Sequence, residues 1–454
     1  MIQYSDIFNA QRQFFATGAT KSIKYRKEVL KKLYSLIHSN EDKLNEAIYK
    51  DFKKSIIETY TTELSLIYAE IQYFIKNIDR LCKPIKRGTN MANIPAKFRI
   101  IREPMGCILI IGAWNYPYQL TLLPMIDAIA AGNTCIVKPS ELPENTMHTL
   151  AELINNNFPK EYLYVAEGGA KETTELLKLH YDKIFFTGST KVGKIVYEAA
   201  SHNLTPVTLE MGGKSPVIVT EKADIKTAAK RIVWGKFLNA GQTCVAPDYL
   251  YAHESIRQKL LEELKHYIKQ FEYGYDTDNY VQIINNRHFD RLAALIDKDK
   301  IYCGGKIDKN KLYIEPTILQ NISWEDAVMN EEIFGPILPV LSFTSLKDIF
   351  EKIHSMEKPL AAYLFSNDKI EQQNFLTEIS SGGVCINDVI MHIVNESVPF
   401  GGIGNSGIGN YHGEYGFNNF SHHNTVLMKP TCFENNIKYP PYNSKKTQLI
   451  KKLI

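Results

Sequence analysis

Cys244 is the side chain in this sequence that is best suited to covalent chemistry. It lies in the stretch Asn-Ala-Gly-Gln-Thr-Cys-Val-Ala-Pro over residues 239–247. The Ala-Gly pair before it and the proline after it predict a loop. A thiol on a loop can reach a substrate and act as a nucleophile, but free cysteine also commonly fills apolar cores. Both interpretations stay open here, because a reactive thiol also needs surroundings that favour its thiolate.

Glu210 is a candidate general base. It follows the apolar run Val-Thr-Leu at 207–209 and precedes Met-Gly-Gly at 211–213. A carboxylate among apolar residues has its charged form disfavoured, and this raises its pKa toward the range that a base needs near neutral pH. A carboxylate that caps a neighbouring helix is the alternative, and for Glu210 taken alone this alternative is the better explanation.

Polar or glycine-containing turns follow three of the predicted strands, at residues 115–117, 138–141 and 188–193. In open α/β sheets, ligands bind beyond the carboxyl ends of the strands. Lys138 and Glu141 could hold ribose hydroxyls there, or they could form an ordinary solvated pair. Residues 188–193, Gly-Ser-Thr-Lys-Val-Gly, could face a phosphate at a helix N-terminus. A simple N-cap serine explains this turn about as well, and the GxGxxG fingerprint is absent.

The elements that must position these residues alternate between strands and helices after a helical segment of about 80 residues. This alternation predicts parallel α/β sheets with right-handed crossovers, in two halves that meet near 210–213. From Tyr439 onward we predict an irregular extension. The predicted strands are 107–114, 134–138, 183–187, 215–220 and 249–253, and the predicted helices are 120–131, 224–238 and 254–271.

Length and composition are those of an ordinary globular protein with two or three domains. The chain has 454 residues, and its net charge of +3 gives no reason to expect a nucleic-acid partner. Seven widely spaced cysteines without a CxxC pair argue against disulfides and a zinc site and favour a cytoplasmic location. We expect no signal peptide. No apolar run approaches the roughly 20 residues of a membrane-spanning helix.

Seven segments, in order along nearly the whole chain, give the sequence its resemblance to the aldehyde dehydrogenase superfamily. It is most similar to the class 3 branch, which includes the fatty aldehyde dehydrogenases. Residues 244–249, Cys-Val-Ala-Pro-Asp-Tyr, and 287–291, Arg-His-Phe-Asp-Arg, carry the closer similarity. The seven segments are Gly-Ala-Trp-Asn-Tyr-Pro at 112–117, Lys-Pro-Ser-Glu at 138–141, Phe-Thr-Gly-Ser-Thr at 186–190, Leu-Glu-Met-Gly-Gly at 209–213, Gly-Gln-Thr-Cys at 241–244, Glu-Ile-Phe-Gly-Pro at 332–336, and Pro-Phe-Gly-Gly at 399–402.

The resemblance implies oxidation of an aldehyde to the carboxylic acid. Cys244 would attack the aldehyde carbon and form a thiohemiacetal. The side chain of Asn115 and the backbone N–H of Cys244 would hold the oxyanion. Hydride transfer to nicotinamide would leave a thioester, and Glu210 would activate the water that hydrolyses it. The implied substrates are medium- or long-chain aliphatic aldehydes or aromatic aldehydes.

The resemblance also implies a nicotinamide cofactor. Lys138 and Glu141 would hold the adenosine ribose, and Glu332 the nicotinamide ribose. A carboxylate near the 2′-hydroxyl favours NAD, although NADP stays open because class 3 members often use both. The cofactor-binding residues expected on this basis are Lys138, Glu141, Gly188, Ser189, Glu332 and Phe334.

The same resemblance predicts two Rossmann-like open-sheet domains and a small strand-rich oligomerisation extension that forms a homodimer. We assign 1–82 and 107–209 to the cofactor domain, 210–392 to the catalytic domain, 83–106 and 393–430 to the extension, and 431–454 to a tail. The end of the chain, residues 449–454, is too short to span a membrane, and we expect it to form a solvated or docked helix turn. Weak surface attachment through Lys445, Lys446, Lys451 and Lys452 is an alternative for this tail.

Three other functions compete with hydrolytic aldehyde oxidation. A CoA-acylating aldehyde dehydrogenase commonly lacks a glutamate at the position of Glu210. A cysteine hydrolase would need a histidine beside Cys244, and His412, His422 and His423 lie in no recognisable setting for this role. A catalytically inactive binding protein would not need Asn115, Glu210 and Cys244 together.

Overall fold

The computed structural model of the chain describes residues 3–434 and 436–453. The helices are α1 Tyr4–Ala16, α2 Ile23–His38, α3 Glu41–Phe52, α4 Ile56–Thr59, α5 Ser65–Leu81, α6 Gln119–Ala131, α7 Glu144–Asn155, α8 Ala170–Leu177, α9 Thr190–Ser201, α10 Ile225–Phe237, α11 Arg257–Gln270, α12 Asn286–Ala293, α13 Leu346–His354, α14 Lys369–Glu378, α15 Gly413–Asn419 and α16 Ser444–Leu453. The strands are β1 Ile85–Arg87, β2 Lys97–Pro104, β3 Cys107–Ile111, β4 Thr134–Lys138, β5 Leu163–Val165, β6 Lys183–Gly188, β7 Val207–Met211, β8 Pro216–Val219, β9 Tyr249–His253, β10 Ile301–Cys303, β11 Ile307–Asp308, β12 Tyr313–Ile314, β13 Thr317–Leu319, β14 Ile337–Phe343, β15 Ala361–Phe365, β16 Gly383–Ile386, β17 Gly407–Ile408 and β18 Ser421–Met428.

The first large sheet has the strand order β17-β7-β6-β3-β4-β5. Strands β7 to β5 in this order run parallel, and β17 joins the edge in the antiparallel direction. Both faces of β3 and β4 are buried, as apolar runs in a parallel sheet require. Helix α6 is buried along its whole length, so it forms the centre of this half of the core.

The second large sheet has the order β10-β13-β14-β9-β8-β15-β16. Its strands are parallel from β13 to β16, while β10 is an antiparallel edge strand. The small third sheet is antiparallel throughout, in the order β1-β2-β18. Its strands fall within the segments 83–106 and 393–430 that the sequence analysis singled out as strand-rich.

The predicted α/β fold with two open parallel sheets and a small additional sheet is confirmed, with local corrections. Strand β3 ends at Ile111 rather than at 114. The backbone at Gly112 passes close against α6, since a Cβ at this position would lie 2.3 Å from Thr121 Oγ1. The antiparallel edge strands were not predicted. The tail is not wholly irregular, because Ser444–Leu453 forms a helix.

None of the helices in the described part of the chain is both long and apolar enough to cross a bilayer. The assignment of the sheets to separate domains stays a prediction.

Candidate active site

The carboxyl ends of four neighbouring strands bring most of the candidate residues to one edge of the first sheet. The pairing of Ile111 with Lys138 and of Thr187 with Glu210 keeps these strand ends level. Strand β6 ends at Gly188, beside the end of β7. Asn115 lies in the turn that follows β3, which pairs with both β4 and β6. The arrangement follows from parallel pairing, because such strands all end on the same side of the sheet.

The loop of Cys244 comes from the second half of the chain and lies over this edge. Helix α10 leads into a short 3-10 turn, Leu238–Gly241, in which Asn239 and Ala240 have φ of 53° and 51°. Gly241 has φ 71°, and a Cβ there would lie 2.3 Å from the carbonyl oxygen of Gly335. These left-handed residues turn the chain sharply away from α10, and glycine is required where the two backbones approach.

Hydrogen bonds join Asn115 to the loop of Cys244. Asn115 Nδ2 donates to the carbonyl oxygen of Gln242 at 3.0 Å, and Asn239 Nδ2 donates to the carbonyl oxygen of Asn115 at 2.9 Å. Tyr116 Oη and Thr243 Oγ1 are 2.6 Å apart. Because a primary amide has two N–H donors, Asn115 keeps one donor for a ligand.

The Cys244 thiol is half-buried on its loop and packs against the edge of the core, so it is not fully enclosed as a core filler would be. Burial, together with the nearby carboxylates of Glu332 and Glu210, raises the pKa of the Cys244 thiol to about 12. Hydrogen bonds from the backbone at Cys244 and Val245 oppose this shift. The thiol is therefore protonated near neutral pH in the protein alone, and its nucleophilic form requires loss of that proton.

Glu210 is 3% exposed, and neither carboxylate oxygen accepts a hydrogen bond from the residues that the structure describes. Burial raises the pKa of this carboxyl well above its usual value. The helix-cap alternative does not fit, because a capping carboxylate accepts backbone N–H bonds. Glu210 is instead an unpartnered buried acid whose charge also acts on Cys244.

Glu332 lies against the glycines that follow Glu210. A Cβ on Gly212 would come within 2.2 Å of Glu332 Oε2, and the carboxylate accepts a backbone hydrogen bond from Gly213. Burial raises the pKa of Glu332 to about 8, and the carboxylate of Asp248 adds to this shift. Glu332 therefore lies beside both catalytic candidates, although its loop comes 122 residues after Glu210 and 88 residues after Cys244 in the chain.

Lys138 is not part of a solvated charge pair. It is 2% exposed, and its Nζ donates to the carbonyl oxygen of Pro139 at 2.6 Å. Burial lowers the pKa of Lys138, against the opposing effect of Glu141. Glu141 is exposed, and Gly169 at the start of α8 lies next to it. A buried ammonium and an exposed carboxylate at one strand end fit the hydroxyl groups of a nucleotide ribose.

Ser189 is the N-cap of α9, since its Oγ accepts the backbone N–H of Val192 at 3.4 Å. The capping interpretation is thus correct for the serine side chain. The same geometry leaves the N-terminus of a twelve-residue helix directly after Gly188, at the edge of the sheet. Helix N-termini favour phosphate, so these residues fit the cofactor that the sequence analysis expects.

Phe334 lies over the turn that holds Asn115. Its backbone is left-handed, with φ 48°, and its ring contacts Trp114 edge-to-face with centroids 5.2 Å apart. Phe334 and Glu332 are thus close to the catalytic candidates. Among the described residues, no hydrogen bond links Lys138 or Ser189 to Cys244, so the candidates form two groups along the sheet edge.

The sequence analysis did not identify the residues that hold this site together. Asn239 and Gln242 link the loop of Cys244 to Asn115, and Tyr363 Oη donates to the carbonyl oxygen of Val245 at 2.6 Å. The polar residues beside Cys244 in its loop were a signal for this role, because a buried loop must satisfy its backbone groups. No comparable signal marks Tyr363 in its apolar strand.

The thiol–imidazole contact found among the described residues involves Cys385 and His392, with 3.2 Å between Sγ and Nδ1. His412 is buried against Phe400 and Tyr411. No histidine affects the pKa of Cys244. The geometry therefore gives no support to a cysteine hydrolase centred on Cys244, which needs an imidazole beside the nucleophile.

The family described as "Aldehyde dehydrogenase family" matches residues 3–426 of the chain. Among curated relatives, "4,4'-diaponeurosporen-aldehyde dehydrogenase" of Staphylococcus aureus is 47% identical over 443 residues, which cover 96% of each chain. "Aldehyde dehydrogenase family 3 member A2" of Rattus norvegicus is 43% identical over 96% of this chain and 91% of the relative. "Aldehyde dehydrogenase, dimeric NADP-preferring" of Mus musculus is 43% identical over 98% and 99%.

Solved structures agree with the sequence relatives. The "Substrate bound state of Staphylococcus Aureus AldH" superposes with a TM-score of 0.97 at 45% identity, covering 100% of this chain and 99% of that one. A structure of PnpE in complex with nicotinamide adenine dinucleotide has a TM-score of 0.84 at 27% identity, covering 93% and 88%. The first similarity covers the whole of this chain, and the second covers most of it.

Proposed function

This chain belongs to the aldehyde dehydrogenase family, and we propose that it oxidises an aldehyde to the carboxylic acid through a covalent intermediate on Cys244. One observation carries the assignment of residues. The Asn115 amide bonds to the loop of Cys244, while the unpartnered carboxyl of Glu210 lies near enough to act on the same thiol. A nucleophile, an oxyanion donor and a base thus share one site.

In the first half of the reaction, the Cys244 thiol loses its proton to solvent, and the resulting thiolate attacks the carbonyl carbon and forms a thiohemiacetal. The free N–H of Asn115 and the backbone N–H of Cys244 stabilise the negative charge on the oxygen. A bound nicotinamide cofactor supplies the acceptor for the hydride. The thiol is a suitable nucleophile because it attacks readily and leaves readily.

In the second half, Glu210 acts as the general base. It removes a proton from water as the water attacks the thioester carbonyl, the carbon–sulfur bond breaks, and the carboxylic acid leaves. The buried, unpartnered carboxyl has a raised pKa, so once ionised it is a stronger base than an exposed glutamate. Because burial raises the pKa of this carboxyl, turnover depends on its ionised fraction and rises as the pH passes through that raised pKa.

Lys138, Glu141, Gly188 and Ser189 would bind the adenosine part of the cofactor, and Glu332, with Phe334 beside it, the nicotinamide ribose. The exposed carboxylate of Glu141 favours a ribose with a free 2′-hydroxyl, so NAD is the first choice. NADP remains the second choice, in keeping with the NADP-preferring relative. Initial rates with each cofactor, for the parent and for Glu141→Gln, test this order. We expect the substitution to improve use of NADP relative to NAD.

The substrate we propose is an apolar aldehyde, either medium- or long-chain aliphatic or aromatic. The name of the Staphylococcus aureus relative, 4,4'-diaponeurosporen-aldehyde dehydrogenase, supports this proposal. Aldehydes of increasing chain length, compared by kcat/KM, test this assignment. A steady rise with length supports the aliphatic choice, and equal rates for all lengths contradict it.

We further propose that residues 1–82 with 107–209 form the cofactor domain, 210–392 the catalytic domain and 431–454 a separate tail. The segments 83–106 and 393–430, which contain the third sheet, would join two copies as a homodimer. The name of one relative includes the word dimeric. A reducing, cytoplasmic location fits the seven free cysteines. Sedimentation measurements on the full chain test the dimer.

Cys244→Ala tests the central proposal. We expect it to abolish aldehyde-dependent reduction of NAD while cofactor binding is retained. Cys303→Ala is the matched control, because Cys303 is another half-buried thiol and lies on an edge strand of the second sheet. Unchanged activity in Cys244→Ala would contradict the proposal.

The second candidate function is CoA-dependent acylation. The same thioester would then pass to CoA instead of water. Glu210 favours hydrolysis because acyl transfer to a thiol needs no water-activating base. Product analysis with and without CoA distinguishes the two, since free acid formed without CoA supports hydrolysis.

A further inference from the structure

Lys54 and Glu63 form an ion pair in the interior of the protein. Lys54 Nζ donates to Glu63 Oε1 at 2.9 Å, and both side chains are 0% exposed. Taking two charges out of water is costly, so the pair has a function or a strong structural reason. Lys54 enters the interior directly after Lys53, whose left-handed backbone (φ 56°) ends α3.

The second oxygen of Glu63 binds the segment that follows Asn115. Glu63 Oε2 accepts the backbone N–H groups of Tyr118 at 2.8 Å and of Gln119 at 3.2 Å. These donors lie at the N-terminus of α6, where a negative charge is favourable. Glu63 itself lies in a π-helical turn, Tyr60–Leu64, and such turns often occur at functional sites.

Lys54 also contacts the residue next to Asn115. Its Nζ lies 4.6 Å from the centre of the Tyr116 ring, a distance typical of a cation–π interaction. Tyr116 Oη in turn bonds to Thr243 Oγ1 at 2.6 Å, next to Cys244. Glu58 provides a third contact close by. Its carboxylate accepts the backbone N–H of Asn239 at 2.9 Å, and the positive charge of Lys54 acts on the same carboxylate.

We propose that Lys54 is a positioning residue that, through Glu63 and Tyr116, holds the Asn115 amide in place for the oxyanion. The inference rests on the proposed role of Asn115. Lys54 fixes the segment at two points, at the ring of Tyr116 and at the start of α6 through Glu63. Asn115 lies beside these points and has one free N–H. A shift of the segment moves that donor away from the oxyanion while the fold persists.

The test uses the full-length enzyme with Lys54→Met, which keeps the length of the side chain and removes its charge. We expect kcat to fall by about 10²-fold, as a displacement of about 1 Å causes, while the dissociation constant for NAD stays unchanged. Lys50→Met is the matched control. Lys50 lies in the last turn of α3, four residues before Lys54, and pairs with Glu46 on the surface, so its loss leaves kcat unchanged.

A double-variant comparison separates positioning from general destabilisation. If Lys54 acts through Asn115, then Lys54→Met combined with Asn115→Ala is no slower than Asn115→Ala alone. Losses of kcat that multiply, or a folded Lys54→Met enzyme with kcat within about threefold of the parent, overturn the inference. If Asn115→Ala by itself leaves kcat unchanged, the proposed function fails instead.

Tyr116→Phe is the second variant and serves if Lys54→Met does not fold. It keeps the aromatic ring beside Lys54 and removes only the Oη–Thr243 bond. We expect kcat to fall by about tenfold, again without a further loss when Asn115→Ala is present. A Tyr116→Phe enzyme with the kcat of the parent contradicts the inference.

Discussion

Glu210→Gln separates the two halves of the proposed reaction. The substitution keeps the size of the side chain and removes its capacity to accept a proton. Because Glu210 is proposed to act only on the thioester, reduction of the first equivalent of cofactor should proceed at nearly the parental rate. Steady-state turnover should fall by about 10²–10⁴-fold, which is the usual contribution of a positioned general base.

The structure also predicts the effect of this substitution on stability. Glu210 is buried without a hydrogen-bond partner, and its pKa is raised well above the value of about 4.3 in an unfolded chain. Between these two pKa values, the folded state binds one proton more than the unfolded state. The free energy of unfolding therefore falls with rising pH by about 1.4 kcal/mol per pH unit from this group.

Glutamine at this position has no proton to lose, so Glu210→Gln removes that slope. The new amide is also buried without a partner, at a cost of about 1–3 kcal/mol that does not vary with pH. The difference in stability between variant and parent should therefore move in favour of the variant as the pH rises above about 5. The slope, and not the absolute difference, is the informative quantity.

Two measurements check these expectations. Rapid mixing with aldehyde and NAD measures the burst of reduced cofactor, and mass spectrometry detects an acylated Cys244. Urea unfolding at several pH values gives the slope. Equal losses in the burst rate and in turnover would show that Glu210 acts before the thioester forms. A stability difference that is independent of pH would show that Glu210 is ionised in the folded protein.

Three further substitutions have expected outcomes. Asn115→Ala should lower kcat by about 10²–10³-fold, which steady-state kinetics measures. The substitution should destabilise the protein by only about 1 kcal/mol in urea unfolding, because the carbonyl of Gln242 keeps a second donor, Asn239 Nδ2. Gly212→Ala would place a Cβ 2.2 Å from Glu332 Oε2 and displace that flexible carboxylate, so KM for NAD should rise while the melting temperature hardly changes. Burial raises the pKa of Asp127 well above normal, so Asp127→Asn should gain stability relative to the parent as the pH rises, measured by thermal unfolding from pH 5 to 9.

Several of the strands were predictable because their apolar runs are continuous, but β7, which carries Glu210, was not predicted as a strand. Residues 134–138 and 249–253 agree with β4 and β9 at both ends. Helix α6 was predicted although it contains Pro124, and the structure buries every residue of this helix. The edge strands β10 and β17 were missed because each is only two or three residues long. Strands so short have no periodicity that could identify them.

Some features of the site could not be predicted from residues near each other in the chain. Asn115 and Gln242 are 127 positions apart, yet their hydrogen bond joins the two halves of the site. The Lys54–Glu63 pair shows the same limit, because lysine and glutamate in a charged helical segment normally face solvent. Burial is a property of everything that packs around a group, so neither side chain gave a local signal.

The sequence by itself determined the types of catalytic group, their order and the family, because these depend on the covalent chain. Cys244 carries a thiol group that can act as a nucleophile, and Glu210 carries a carboxyl group that can act as a base once it is ionised. Only the tertiary structure decided that Glu210 has no hydrogen-bond partner among the described residues and that Cys244 holds its proton near neutral pH. The physical reason is that a pKa depends on solvent exclusion and on charges brought near through space.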